Sequence, residues 1–203
     1  ETDPTLDDLV VRRRAIAALT DQEPAPGGTS TTLFDTPNPL VRRTRPPTRE
    51  PSADRASVAV LSWDVGHNPL GRANVLAEVL ARHFDVELWG AQFSRYGSQI
   101  WTPMRQVSTP INVFAGEPLP EHLRIVRRVV PSIDADALWV SKPRLPSYLL
   151  GIEAKRARNR PLVLDVDDHE LAFFATDEGV ELSELHGRSE GLELPFERAW
   201  TQA

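Results

Sequence analysis

From Ser57 onward, short apolar runs alternate with segments of helical spacing. Residues 57–63 (SVAVLSW), 85–89 (DVELW), 112–115 (NVFA), 137–140 (ALWV) and 161–166 (PLVLDV) are strand-length and rich in β-branched and aromatic residues. Between them, residues 71–83, 120–130 and 146–158 repeat their apolar positions at the period of an α-helix. In the first helix Val75, Leu76, Val79 and Leu80 share one side, which predicts that this side is buried. Continuous apolar strands separated by helices predict a parallel sheet covered on both faces. Right-handed crossovers then leave an α/β fold, a Rossmann-like sheet whose five strands, counted along the chain, lie in the order 3-2-1-4-5.

Residues 1–56 have a different texture. Residues 5–19 (TLDDLVVRRRAIAAL) predict a short helix, with Thr5 as N-cap and Asp8 three residues on. Residues 21–55 are rich in Pro, Gly, Thr and Arg (EPAPGG, TPNP, RTRPPTREP), which predicts a largely unstructured linker outside the compact domain. Arg42, Arg43 and Arg45 form a basic cluster without interleaved aromatics, so a solvated linker is expected rather than a nucleic-acid patch. The expected organisation is an extension over 1–56 and a Rossmann-like unit over 57–203. At the far end, residues 192–203 open another helix, with Phe196 and Trp200 four apart on one side. A Rossmann-like half normally continues to a further strand, so a fragment of a longer protein is expected. Glu1 in place of Met, with no signal peptide near it, agrees with that expectation.

Composition narrows the function classes. The net charge of −6 argues against a nucleic-acid partner. The absence of cysteine excludes disulfides and thiolate zinc sites. No apolar run approaches the roughly 20 residues of a membrane span, and a cytoplasmic location is expected.

Two segments carry candidate chemistry. Gly66-His67-Asn68-Pro69-Leu70-Gly71-Arg72-Ala73 follows the first strand and leads into the first helix. Such a turn gathers backbone N–H groups and the positive end of a helix dipole, where an α/β protein holds an anion. The same residues superficially match G-x-x-x-x-G-K-[ST], but Arg72 replaces the lysine and Ala73 the metal-binding hydroxyl, against a P-loop NTPase. The simplest alternative is a tight turn permitted by two glycines. His67 beside Asn68 and Arg72 suits a sugar or anion contact, or is merely a solvated loop histidine. The second segment is Asp165-Val166-Asp167-Asp168-His169-Glu170, at the end of the last strand and hence on the ligand edge of a parallel sheet. Asp165, Asp167, Asp168 and His169 are compatible with a substrate edge binding sugar hydroxyls, with a divalent metal site, or with a haloacid-dehalogenase-type hhhhDxD strand. Asp167 or Asp168 also suits a helix N-cap. Trp63, Trp89 and Trp139 are expected in the core, and Lys142 as a surface lysine.

The passages SVAVLSWDVGHNPLGRANVLAEVLARHFDVELWG, DADALWVSKPRLPSYLLG and RPLVLDVDDHELAFF, taken in this order, resemble the N-terminal half of a GT-B glycosyltransferase of the retaining group that includes glycogen synthase and sucrose synthase. The resemblance implies sugar transfer from a nucleotide-activated donor to a carbohydrate or other acceptor, with retention at the anomeric carbon. It implies no further cofactor and no resident metal. It places the Gly66–Arg72 loop, with Gly66, His67, Asn68, Gly71 and Arg72, near the donor diphosphate. It also implies a second Rossmann-like domain, outside this sequence, that binds most of the donor. The alternative is a non-catalytic Rossmann-like module that binds a nucleotide or a partner.

Overall fold

The computed structural model describes residues 33–45 and 55–166. Its elements are β1 (Phe34–Asp35), β2 (Arg42–Arg43), β3 (Ser57–Ser62), α1 (Pro69–Leu80), β4 (Asp85–Phe93), β5 (Ile111–Gly116), α2 (Glu121–Val129), β6 (Ala137–Ser141), α3 (Leu145–Arg158) and β7 (Leu162–Asp165). The seven strands form one sheet in the order β1-β2-β5-β4-β3-β6-β7. All pairings from β5 through β7 are parallel, and this part reproduces the 3-2-1-4-5 order expected from the apolar runs.

Alternation along the strands sorts their side chains to two faces. Val58, Val60, Leu88, Ile111 and Val113 meet Leu70, Ala73 and Ala77 of α1, together with Ile100 of the β4–β5 connection. Ala59, Leu61, Trp89, Phe114 and Val140 meet Ile125 and Val129 of α2 and Leu150 and Ala154 of α3 on the other face. The domain is thus helix, sheet, helix in section, as a parallel sheet requires. Contact between α3 and the sheet is close. A Cβ on Gly151 would lie 2.5 Å from Val140 Cγ2 and 3.0 Å from Leu162 Cδ1.

Two expectations are corrected. Residues 33–45 are not linker: β1 pairs antiparallel with β2, and β2 antiparallel with β5, so the sheet is mixed. Local composition concealed this because the strands are two residues long and their burial is tertiary. Leu40 and Val41 are buried at 4% and 1% exposure. The Arg43 guanidinium donates to Asn112 Oδ1 and Glu87 Oε1, both at 2.7 Å. Asn38 ties the intervening turn to the end of α2 through Arg128 O (2.9 Å) and Ser132 Oγ (2.8 Å). The second correction concerns α1. Its buried side is Leu70, Ala73 and Ala77, whereas Val75 and Val79 are 60% and 53% exposed. Small residues face the sheet because they let the helix axis approach it, and Leu76 and Leu80 pack only partly at the margin. The helices expected over 5–19 and 192–203 lie outside the described residues.

Candidate functional site

The sheet runs outward in one direction from β3 through β4 to β5 and in the other through β6 to β7, so the strand order reverses between β3 and β6. The carboxyl ends of these two strands flank the crevice where open α/β sheets bind ligands. Three segments follow or end the strands on this edge: the turn from Trp63 to Asn68 after β3, residues 142–144 after β6, and Asp165 at the end of β7.

The turn after β3 is organised by Asp64, a residue that motif reading missed. Asp64 is fully buried. A buried carboxylate has to be matched by donors, and here three converge on it. Oδ1 accepts the Gly66 N–H and the ring of His67 through Nδ1 at 2.8 Å. Oδ2 accepts the Phe93 N–H at 2.9 Å, which ties the turn to the end of β4. Tyr96, in the turn after β4, stacks on His67 with ring centroids 3.8 Å apart. The edge of Trp63 meets the same imidazole at 4.7 Å. The turn is tightly packed at Gly66, where a Cβ would fall 2.6 Å from Gln92 Nε2 and 3.1 Å from both Asp64 Oδ1 and Tyr96 O.

Asn68 stands at the N-cap of α1 with Pro69 following, and its side chain makes no capping hydrogen bond. Gly71 and Arg72 lie within α1 rather than in the loop. The Gly71 N–H donates to Asn68 O at 2.9 Å, and the place of its missing Cβ is 2.8 Å from Trp101 Cζ3. Gly71 therefore admits an aromatic ring against the helix; the structure shows no open backbone approach at this residue. Arg72 reaches over β6 to the end of β7, where its Nε and Nη2 each donate to Asp165 at 2.8 Å. The two segments singled out in the sequence are thus joined by a bidentate ion pair. Ser141, the register neighbour of Asp165, has a buried hydroxyl without a hydrogen-bond partner. Lys142 adopts φ 69°, a left-handed conformation uncommon for a side-chain-bearing residue, so the chain turns sharply at the crevice. Asp167, Asp168 and His169 lie outside the described residues.

Trp63 and Trp89 are buried as expected, and Trp139 is half-buried with its indole N–H unpartnered. Among the described residues no three His, Cys, Asp or Glu side chains gather as a metal site, and no helix is long and apolar enough to cross a membrane. A cavity of about 920 Å3 lies elsewhere, beneath the β1–β2 hairpin. Its floor residues Arg43 and Asn112 are already paired with each other and with Glu87. The polar groups with chemistry to offer are at the carboxyl ends of β3, β6 and β7, and that edge is the candidate site.

Comparison with protein-family models, with curated proteins and with solved structures gives no match for this chain.

Proposed function

We propose that this chain is the acceptor-side half of a glycosyltransferase, which moves a sugar from a nucleotide-activated donor to a hydroxyl of a carbohydrate or other acceptor. The observation that carries the reading is the construction at the switch point. A rigid turn presents an imidazole beside the first turn of α1, and a guanidinium is held at the same edge by an aspartate. A leaving diphosphate needs helix N–H groups and cations, and an incoming hydroxyl needs a polar, oriented partner. Arg72 takes the donor diphosphate in this proposal, exchanging the Asp165 carboxylate for phosphate oxygens of similar bidentate geometry. A second Rossmann-like domain facing this edge would supply the rest of the donor site.

The test uses the full-length protein with a panel of uridine, guanosine and thymidine diphosphate sugars and sugar acceptors, reading release of nucleoside diphosphate. Acceptor-dependent release is expected with at least one donor. Arg72→Ala should lower kcat/KM for that donor by about ten- to a hundredfold, the worth of one charge-assisted contact. Binding without turnover would instead favour a non-catalytic Rossmann-like module. Magnesium-dependent ATP hydrolysis would restore the P-loop alternative.

A further inference from the structure

The cavity of about 920 Å3 beneath the β1–β2 hairpin is of a size that takes a small organic molecule. It lies at the amino end of β5, where Arg43 and Asn112 are register neighbours. The crevice proposed for sugar transfer is at the carboxyl ends of the strands, so the two sites are separate. Phe34, Pro39, Val41, Trp89 and Pro131 supply apolar walls, and Phe34 is 42% exposed. The polar groups around the cavity are mostly bonded to one another. Thr36 Oγ1 lies 2.9 and 3.0 Å from the Asn38 and Val41 carbonyl oxygens. Asn38 donates to Arg128 O and Ser132 Oγ and accepts the Leu40 N–H. The Arg43 charge is matched by Glu87 at 2.7 Å. The Asp35 carboxylate is 64% exposed and lies 3.5 Å from Arg42 Nε.

Arg45 differs from these. It also lines the cavity, and its Nη2 donates to Val107 O. Its Nε–H is buried without a hydrogen-bond partner, and among the described residues no carboxylate pairs with it. A buried cationic N–H left unpaired is costly, and an anionic acceptor removes that cost. We propose that this cavity binds an apolar monocarboxylic acid, its carboxylate on Arg45 and its aromatic or aliphatic body against Phe34, Trp89 and Pro131. One unmatched guanidinium suits one negative charge. A phosphate dianion would bring a second charge for which the cavity has no cation, since Glu87 already holds Arg43. Because the other wall groups are bonded among themselves, the body of the ligand gains from burial of apolar surface and not from hydrogen bonds.

The experiment titrates the full chain with 1-naphthaleneacetate and with octanoate, and in parallel with uncharged 1-naphthaleneacetamide and with inorganic phosphate. Calorimetry gives Kd, and NMR locates the shifts. At least one acid should bind with Kd below about 1 mM, with shifts in residues 34–45 and at the Trp89 indole. The amide should bind about tenfold or more weakly, and phosphate not saturably. Arg45→Gln should raise the acid Kd by about tenfold or more while leaving the amide unchanged, and Arg45→Lys should recover part of the loss. Phe34→Ala should weaken acid and amide alike. If Arg45→Gln does not fold, the difference between acid and amide in the parent and the Phe34→Ala result decide the matter. The proposal is overturned by equal binding of acid and amide, by saturable phosphate binding at this place, by an unchanged acid Kd in folded Arg45→Gln, by shifts confined to residues 63–72, or by no saturable binding of either acid.

Discussion

His122 sets a measurable acid sensitivity. It lies in α2 with no solvent exposure, its ring 5.4 Å from that of Phe93 and 6.2 Å from that of Phe114. Burial among apolar groups disfavours the imidazolium and pushes its pKa from 6.5 down to about 4. The Pro146 backbone opposes the shift slightly, although neither ring nitrogen meets a partner with hydrogen-bond geometry; desolvation dominates. Above pH 6.5 the ring is neutral in both folded and unfolded chains and adds no pH dependence. As pH falls below 6.5 the unfolded chain takes the proton first, and stability declines until the folded ring also titrates at about pH 4. At 1.36 kcal/mol per pH unit, that window costs about 3 kcal/mol. Urea unfolding of the parent and of His122→Leu, measured at pH 7.5, 6.5, 5.5 and 4.5, isolates the contribution. The two proteins should differ by about 1.5 kcal/mol or less at pH 7.5, as for an apolar replacement of similar volume. The parent should then lose stability faster toward acid, by a little over 1 kcal/mol per pH unit. Parallel curves, or an NMR titration of His122 in the folded protein near 6.5, would refute the reasoning.

Gly151→Ala should destabilise by about 1–3 kcal/mol in thermal or urea unfolding, because its methyl would meet Val140 and Leu162 where α3 lies on β6. Arg43→Leu should cost about 1–3 kcal/mol, since it leaves the buried Asn112 carbonyl without its donor, and amide exchange should rise in β2 and β5. A double-mutant cycle on Arg72→Met and Asp165→Asn should give a coupling of about 0.5–1 kcal/mol in the ligand-free protein, modest because the Arg72 side chain is 35% exposed. No measurable coupling would show that the pair does not form in solution.

The parallel part of the sheet was legible because buried parallel strands must be apolar on both faces, and runs such as SVAVLS and ALWVS announce that directly. The antiparallel edge was not, since strands of two residues carry no periodicity. The partner that makes Arg43 a sheet residue is Asn112, 69 positions away. Helix α1 was placed correctly, but of the four apolar residues expected on one side only Leu76 and Leu80 pack, in part, against the core, while Val75 and Val79 are exposed. Large apolar residues are assumed to be inside, and here close approach of the helix favoured Ala73 and Ala77. At the candidate site, His67 and Asp165 could be named from the strand ends they belong to or follow, and Arg72 from the loop-to-helix motif around Gly71. The dependence of His67 on Asp64 had only a weak local signal, an acid three residues before the histidine. The Tyr96 contact comes from a turn after another strand and had no signal at all.

The β1–β2 hairpin also decides how the molecule can be cut. A fragment begun at residue 56, where the alternating strands and helices start, would lack Leu40 and Val41, two side chains of the core. It would also bare the hydrogen-bonding edge of β5, the strand INVFAG, which is apolar along most of its length. An uncovered apolar edge of that kind is a template for pairing with another copy. Among the described residues the hairpin ends that side of the sheet with an outer strand of only two residues, Phe34 and Asp35, too short to template another. Residues that read as a linker outside the compact domain thus cover the β5 side of the sheet.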